Sequence, residues 1–156
     1  MNSHVFDRTY ALGIGRFFNY YIDHNGTFVA DNIDVSAMKL TTLYGLLPRE
    51  QIKIFGNFNC SRNNLFNFKW FPKSLEVLGN FDCSQNGLRD LSGLPENFIV
   101  RGNFDCSHNN LRAICGLPQK FEIDGTFYCY KNTIGSTGIL SAFPQRLLDG
   151  RTLRRH

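Results

Sequence analysis

Four cysteines, Cys60, Cys83, Cys106 and Cys129, stand 23 residues apart, and thiols in that number raise the question of a metal or redox centre. A zinc cage draws on ligands that converge as close pairs such as Cys-x2-Cys. A long uniform interval instead places one thiol at the same position of each successive unit. On neighbouring strands at ~4.8 Å the thiols would carry parallel Cβ vectors, which oppose disulfide closure. They are expected to be buried and to act as small apolar side chains, with no metal and no cofactor. Asp82 and Asp105 keep the same interval, and two carboxylates on adjacent strands, each raising the other's pKa and with His108 beside them, are the groups an acid and base couple would use. Nothing completes such a site: no nucleophile lies next to a base, no glycine-rich phosphate loop is present, and the aspartate recurs because the whole segment recurs. No catalytic residue is assigned. Asn63, Asn86, Asn109 and Asn132 form a third set. They are polar in an inward register, so each must find hydrogen-bond partners.

These columns travel with a repeat. Gly56, Gly79, Gly102 and Gly125 keep the 23-residue interval without a slip, and Gly79-Asn80-Phe81-Asp82-Cys83-Ser84 recurs unchanged from Gly102 to Ser107. A period of this size marks a solenoid, in which each unit buries its apolar face by stacking on the next. Phe58, Phe81, Phe104 and Phe127 stand two residues before the cysteines, so a short Phe-x-Cys strand sends Phe and Cys inward and their neighbours outward. Leu65, Leu88, Leu111 and Ile134 close the apolar register. Beyond them, segments such as Leu91-Ser92-Gly93-Leu94-Pro95 crowd turn residues too closely for a helix of ordinary length. Ile54, Val77, Val100 and Ile123, alternating with Ile52, Leu75, Phe98 and Phe121, predict a second set of strands on the return side. Asn32-Ile33-Asp34-Val35-Ser36, followed by Leu40, Leu43 and Leu47-Pro48, is a degenerate first unit, which makes five from about Ala30 to Leu140.

Within a unit, Leu78-x-x-Phe81-x-Cys83-x-x-Asn86-x-Leu88 resembles the leucine-rich repeat, L-x-x-L-x-L-x-x-N/C-x-L, with Phe and Cys in two leucine places. Arg101 and Asp124 depart from it at the first apolar place. The compact units are similar to those of small bacterial or bacteriophage leucine-rich repeat proteins, and the likeness covers roughly two-thirds of the chain. It implies a mainly β solenoid with short parallel strands on one face. It also implies that the Asn63, Asn86, Asn109 and Asn132 side chains bond loop backbone from unit to unit as a structural ladder. The chain reads as a single domain over 1–156, with an N-terminal cap over 1–29, five leucine-rich-type repeats over 30–140, and a C-terminal cap and basic tail over 141–156. In the first cap, Phe17 to Asp23, then His24-Asn25-Gly26, then Thr27 to Val29 predict a hairpin that covers the open edge of the stack. In the last, Phe143 to Asp149 predict a short helix with Pro144 in its first turn, and Arg151 to His156 a mobile basic tail.

The outward side chains of the parallel strands form the expected recognition face. Three of its columns hardly vary: Asn32, Asn57, Asn80, Asn103 and Thr126; Asp34, Asn59, Asp82, Asp105 and Tyr128; Ser36, Ser61, Ser84, Ser107 and Tyr130. Units differ at Ala37, Arg62, Gln85, His108 and Lys131, and the last strand exchanges Asp and Ser for Tyr128 and Tyr130. Tyr and Arg dominate binding energy at interfaces, and five strands at ~4.8 Å give about 20 Å of surface, room for a standard footprint. The expected partner-binding set is Arg62, Asp82, Gln85, Asp105, His108, Tyr128, Tyr130 and Lys131, and the expected function is a non-enzymatic module that binds another protein. A structural role for the two tyrosines, as covers of the final strand edge, stands beside this reading. The bacterial or phage likeness implies an inhibitor or effector acting on a host protein. The alternative is a nucleic-acid binder that uses Arg146, Arg151, Arg154 and Arg155, a reading opposed by the outward Asp34, Asp82 and Asp105, which would repel phosphates.

Composition narrows the class further. A chain of 156 residues that is 42% hydrophobic with 15 Phe is not a disordered one. The net charge of +4 is too mild to identify a partner. No window approaches eighteen apolar residues, so no membrane span is expected. Five cysteines cannot pair fully within one chain, and Met1 to Asp7, MNSHVFD, lacks the charged-then-apolar pattern of a secretory signal. A reducing, cytoplasmic compartment is therefore expected, the host cytoplasm for a phage-encoded chain.

Overall fold

Alternating apolar and polar residues, with aromatic and β-branched types at the apolar places, make the segments on either side of each repeat glycine strands. The computed structural model describes residues 18–135 and the backbone of Leu153–Arg154, and every regular element among them is β. A hairpin opens the stack: β1 (Tyr20–Ile22) runs antiparallel to β2 (Phe28–Ala30). Asp23 sets its turn, its Oδ1 accepting the amides of Asn25 and Thr27, both at 2.9 Å. From there short strands alternate with return strands. They are β3 (Ile33–Asp34), β4 (Gln51–Ile54), β5 (Phe58–Asn59), β6 (Ser74–Val77), β7 (Phe81–Asp82), β8 (Asn97–Val100), β9 (Phe104–Asp105), β10 (Lys120–Ile123) and β11 (Phe127–Tyr128).

The coils stack into a β-solenoid with two six-stranded sheets, ordered β1-β2-β4-β6-β8-β10 and, with Leu153–Arg154 as β12, β12-β11-β9-β7-β5-β3. Every pairing except β1 with β2 is parallel, and from β4 to β10 and from β5 to β11 the partners stand one repeat apart, for example Phe81 opposite Phe104 and Leu75 opposite Phe98. The return strands, the hairpin and the degenerate first unit all take the expected places. The tail, expected to be mobile, instead contributes β12 (Leu153–Arg154), parallel to β11, because the outer main-chain groups of β11 offer a ladder that a passing extended segment can join. The helix expected over 143–149 lies outside the described residues, as do 1–17 and the end of the fifth unit at 136–140.

The core lies between the sheets. Phe58, Phe81, Phe104 and Phe127 stack ring on ring at 5.1, 5.2 and 5.0 Å, with planes within 12° of parallel, since the strand spacing itself sets the ring spacing. Phe98 and Phe121 from the return strands meet this column edge-on, at 5.0 Å to Phe81 and 5.6 Å to Phe104. The Cys60, Cys83, Cys106 and Cys129 thiols are buried beside it. Backbones of successive coils approach closest at the glycines: Gly102 donates its amide to the Gly79 carbonyl at 2.9 Å, and a Cβ at Gly102 would lie 2.6 Å from that oxygen. The first apolar place of the repeat pattern is not inward. Period-two alternation carries Leu75 and Val77 into the core and leaves Leu78 half-buried, Phe55 52% exposed, and Arg101 and Asp124 on the surface, ion-paired at 3.3 Å.

Candidate functional site

β5, β7 and β9 each end in a turn built by two side chains, an aspartate or asparagine that starts it and an asparagine that closes it. In Asp82-Cys83-Ser84-Gln85-Asn86, Asp82 Oδ1 accepts the Ser84 amide at 2.8 Å and starts the turn, as Asp105 does for Ser107 at 2.8 Å. The asparagine then turns inward. Asn109 Nδ2 donates to the carbonyls of Cys83 and Cys106, both at 3.1 Å, while its Oδ1 accepts the Leu88 amide at 3.1 Å. Asn63, Asn86 and Asn132 repeat this arrangement, so the ladder spans one coil to the next. Buried amide groups are satisfied in full by such sharing.

Two of the uniform outward columns do structural work that sequence reasoning placed on the recognition face. Oδ1 of Asn32, Asn57, Asn80 and Asn103 accepts the amide of the equivalent residue one coil on, each at 2.8 Å, which makes a second, outer ladder. Ser61, Ser84 and Ser107 are buried, since the turn folds them under the next residue. The recurring Gly-Asn pair was the available signal for the outer ladder: an asparagine next to a coil-to-coil glycine contact has the neighbouring backbone within reach.

Between the serine and the inward asparagine stands the variable row. Ala37, Arg62, Gln85, His108 and Lys131 are all exposed and all left-handed, at φ 55, 56, 54, 53 and 54°. At Ala37, Arg62, Gln85 and His108 this conformation carries the amide to the next coil, as Gln85 reaches the Ser107 carbonyl at 3.0 Å. Glycine or asparagine fits such a backbone best, and no coil uses either. At the C-terminal end the His108 ring meets Tyr130 edge-on at 5.4 Å, and Tyr130 meets Tyr128 at 6.4 Å. These tyrosines are half-buried and lie inward of β12, so the sheet continues past them. Further along the coil, Arg89 and Arg112 occupy the same place on adjacent turns and, with Asn110 and Thr133, line an open cleft of about 650 Å³. The arginines were missed, although one follows the closing leucine in two successive units.

Asp82 and Asp105 are neighbours across β7 and β9, and both are half-buried. Burial raises the Asp105 carboxyl above the ordinary carboxylate value; hydrogen bonding from Ser107 opposes the shift, and the Asp82 charge adds to it. The mutual charge effect expected between the pair is thus secondary to burial at Asp105. Among the described residues no hydrogen bond joins His108 to either carboxylate, and no three His, Cys, Asp or Glu side chains converge as a metal site. Burial pushes the thiols of Cys60, Cys83 and Cys106 well up, and Cys83 and Cys106 donate to the carbonyls of Asp105 and Tyr128 at 3.2 and 3.3 Å. No helix among the described residues is long and apolar enough to cross a membrane. What the geometry presents is an all-β solenoid with a row of exposed, unlike side chains along one edge of its short-strand sheet. No protein-family model matches the chain, and neither a curated protein nor a solved structure does.

Proposed function

We propose that the chain is a non-enzymatic protein-interaction module of leucine-rich-repeat type, which docks a partner protein along the Arg62, Gln85, His108, Lys131 row and on the Tyr128 and Tyr130 rings. The row carries the reading. A left-handed backbone costs a residue with a side chain about 1 kcal/mol or more relative to glycine. Yet successive coils keep long, chemically different side chains there, all of them exposed. A turn with only a structural duty is met better by glycine. Asp82 and Asp105 flank the row, and Arg89 and Arg112 extend it as a basic margin, so the surface fits a partner with an acidic patch around an apolar centre that seats on the tyrosines. By analogy with small bacterial and phage repeat proteins, the partner is a host protein that the chain inhibits or redirects in a reducing cytoplasm.

Affinity capture from a host-cell lysate tests this, comparing the wild-type chain with Tyr128→Ala/Tyr130→Ala and with Gln85→Gly/His108→Gly. One protein should be captured and lost at least about tenfold in either variant, each tyrosine contributing about 1 kcal/mol or more. Circular dichroism should show both variants folded, the glycine variant melting at or above the wild type. Retention of the partner by both variants overturns the proposal, and capture of nuclease-sensitive material through the basic tail would replace it with the nucleic-acid reading.

A further inference from the structure

Trp70 is the chain's single tryptophan, and it stands where three other coils hold glycine. Gly45, Trp70, Gly93 and Gly116 occupy one repeat position, at the corner that leads into the return strand, and all four are left-handed, at φ 71, 80, 87 and 79°. Glycine adopts this backbone freely, whereas a bulky side chain strains it. The indole is also densely attended. Tyr44, itself 68% exposed, meets it edge-on at 5.1 Å. The Arg49 guanidinium lies 4.8 Å and the Lys69 ammonium 5.3 Å from the ring centroid. Beside them opens a cleft of about 390 Å³ lined by Tyr44, Leu47, Pro48, Arg49, Glu50 and Trp70.

The charges at this corner are unbalanced. Glu50 is engaged by Lys73 at 3.7 Å, and none of the ion pairs among the described residues involves Arg49 or Lys69. Two cations are thus held on an aromatic surface by cation–π contact, with their outward donors available, next to an apolar floor of Leu47 and Pro48. We propose that this corner is a second recognition site, which seats one aromatic side chain of an acidic peptide in the cleft while the flanking carboxylates bond Arg49 and Lys69. The Tyr44 and Trp70 edges favour the face of an inserted ring, and a carboxylate bonds a guanidinium through paired donors. A phosphodiester chain fits less well, because its charge is continuous and must pass Glu50 in the cleft wall, whereas a peptide can set its uncharged aromatic side chain beside Glu50 and its carboxylates on Arg49 and Lys69. The site is separate from the row that follows the short strands and does not depend on it.

The lone tryptophan reports its own occupancy. The full chain would be titrated with a blocked pentapeptide that carries one phenylalanine between two pairs of acidic residues, following Trp70 emission. Parallel titrations would use the same peptide with alanine at the centre, the same peptide with lysines for the acids, and oligothymidylate. A saturable change with the first peptide is expected, with affinity weaker by about tenfold or more for the alanine and lysine peptides and for Arg49→Ala/Lys69→Ala. Trp70→Gly should melt at or above the wild type, as its neighbours' glycines predict. No saturable change, equal affinity for either control peptide, unchanged affinity in the Arg49 and Lys69 variant, or tighter binding of oligothymidylate overturns the proposal. So does a fall in melting temperature of about 4 °C or more in Trp70→Gly, which would make the indole a structural cover.

Discussion

Asp105 shows how one side chain serves the turn and burdens it at once. Its Oδ1 accepts the Ser107 amide, yet burial raises its carboxyl above the ordinary value. A folded pKa above the unfolded one means that ionisation weighs against the fold at neutral pH. The penalty fades as pH falls through the folded value toward the unfolded one of about 3.9. Asn59 holds the same place two coils earlier and bonds the Ser61 amide through Oδ1 at 3.0 Å without a charge. Asp105→Asn should therefore raise the melting temperature at neutral pH by a few degrees, and the gain should shrink toward about pH 4. Thermal unfolding across a pH series checks this. A gain that grows on acidification would mean that the folded carboxyl lies below its unfolded value and not above it. The period placed Asp105 beside Asp82 correctly, but a repeat interval carries no information on solvation, so the cause of the shift was not legible there.

At the scale of the elements, the strands are too short to hold themselves. β5, β7, β9 and β11 have two residues each, and the asparagine ladders on either side lock them to their neighbours. The two ladders differ in burial, which sets what each is worth. Asn109→Ala strands the buried Leu88 amide, while the Cys83 and Cys106 carbonyls keep the donors of Asn86 and Asn132, and should cost about 2 kcal/mol. Asn80→Ala exposes the Asn103 amide to water, which replaces the lost bond, and should cost about 1 kcal/mol or less. Urea unfolding of the two variants measures both, and equal costs would show that the outer ladder is shielded after all. The inner ladder was readable because an asparagine in an apolar register has to be bonded. An asparagine in an outward register is satisfied by water in any fold, so nothing in its position announced a partner.

Over the whole molecule, stability passes from coil to coil, and the thiols sample it. Cys60, Cys83, Cys106 and Cys129 are buried, whereas Cys115 is exposed. A thiol reagent should therefore find one fast-reacting group in the native protein and all five in denaturant. The other four should react at the rate of global opening; early release of a second would reveal coils that open locally. By itself the sequence determined the 23-residue coil, the two sets of strands, the hairpin and the inward Phe, Cys and Asn columns, because periodic spacing and side-chain polarity dictate which residues can share a buried face. Only the tertiary structure decided the outer ladder, the burial of the serines, the pairing of Leu153–Arg154 with β11, and the left-handed backbones of the variable row and of Trp70. Those features depend on groups a full coil away, brought into contact by the strand spacing, and on corner backbones that keep one conformation whatever residue is there.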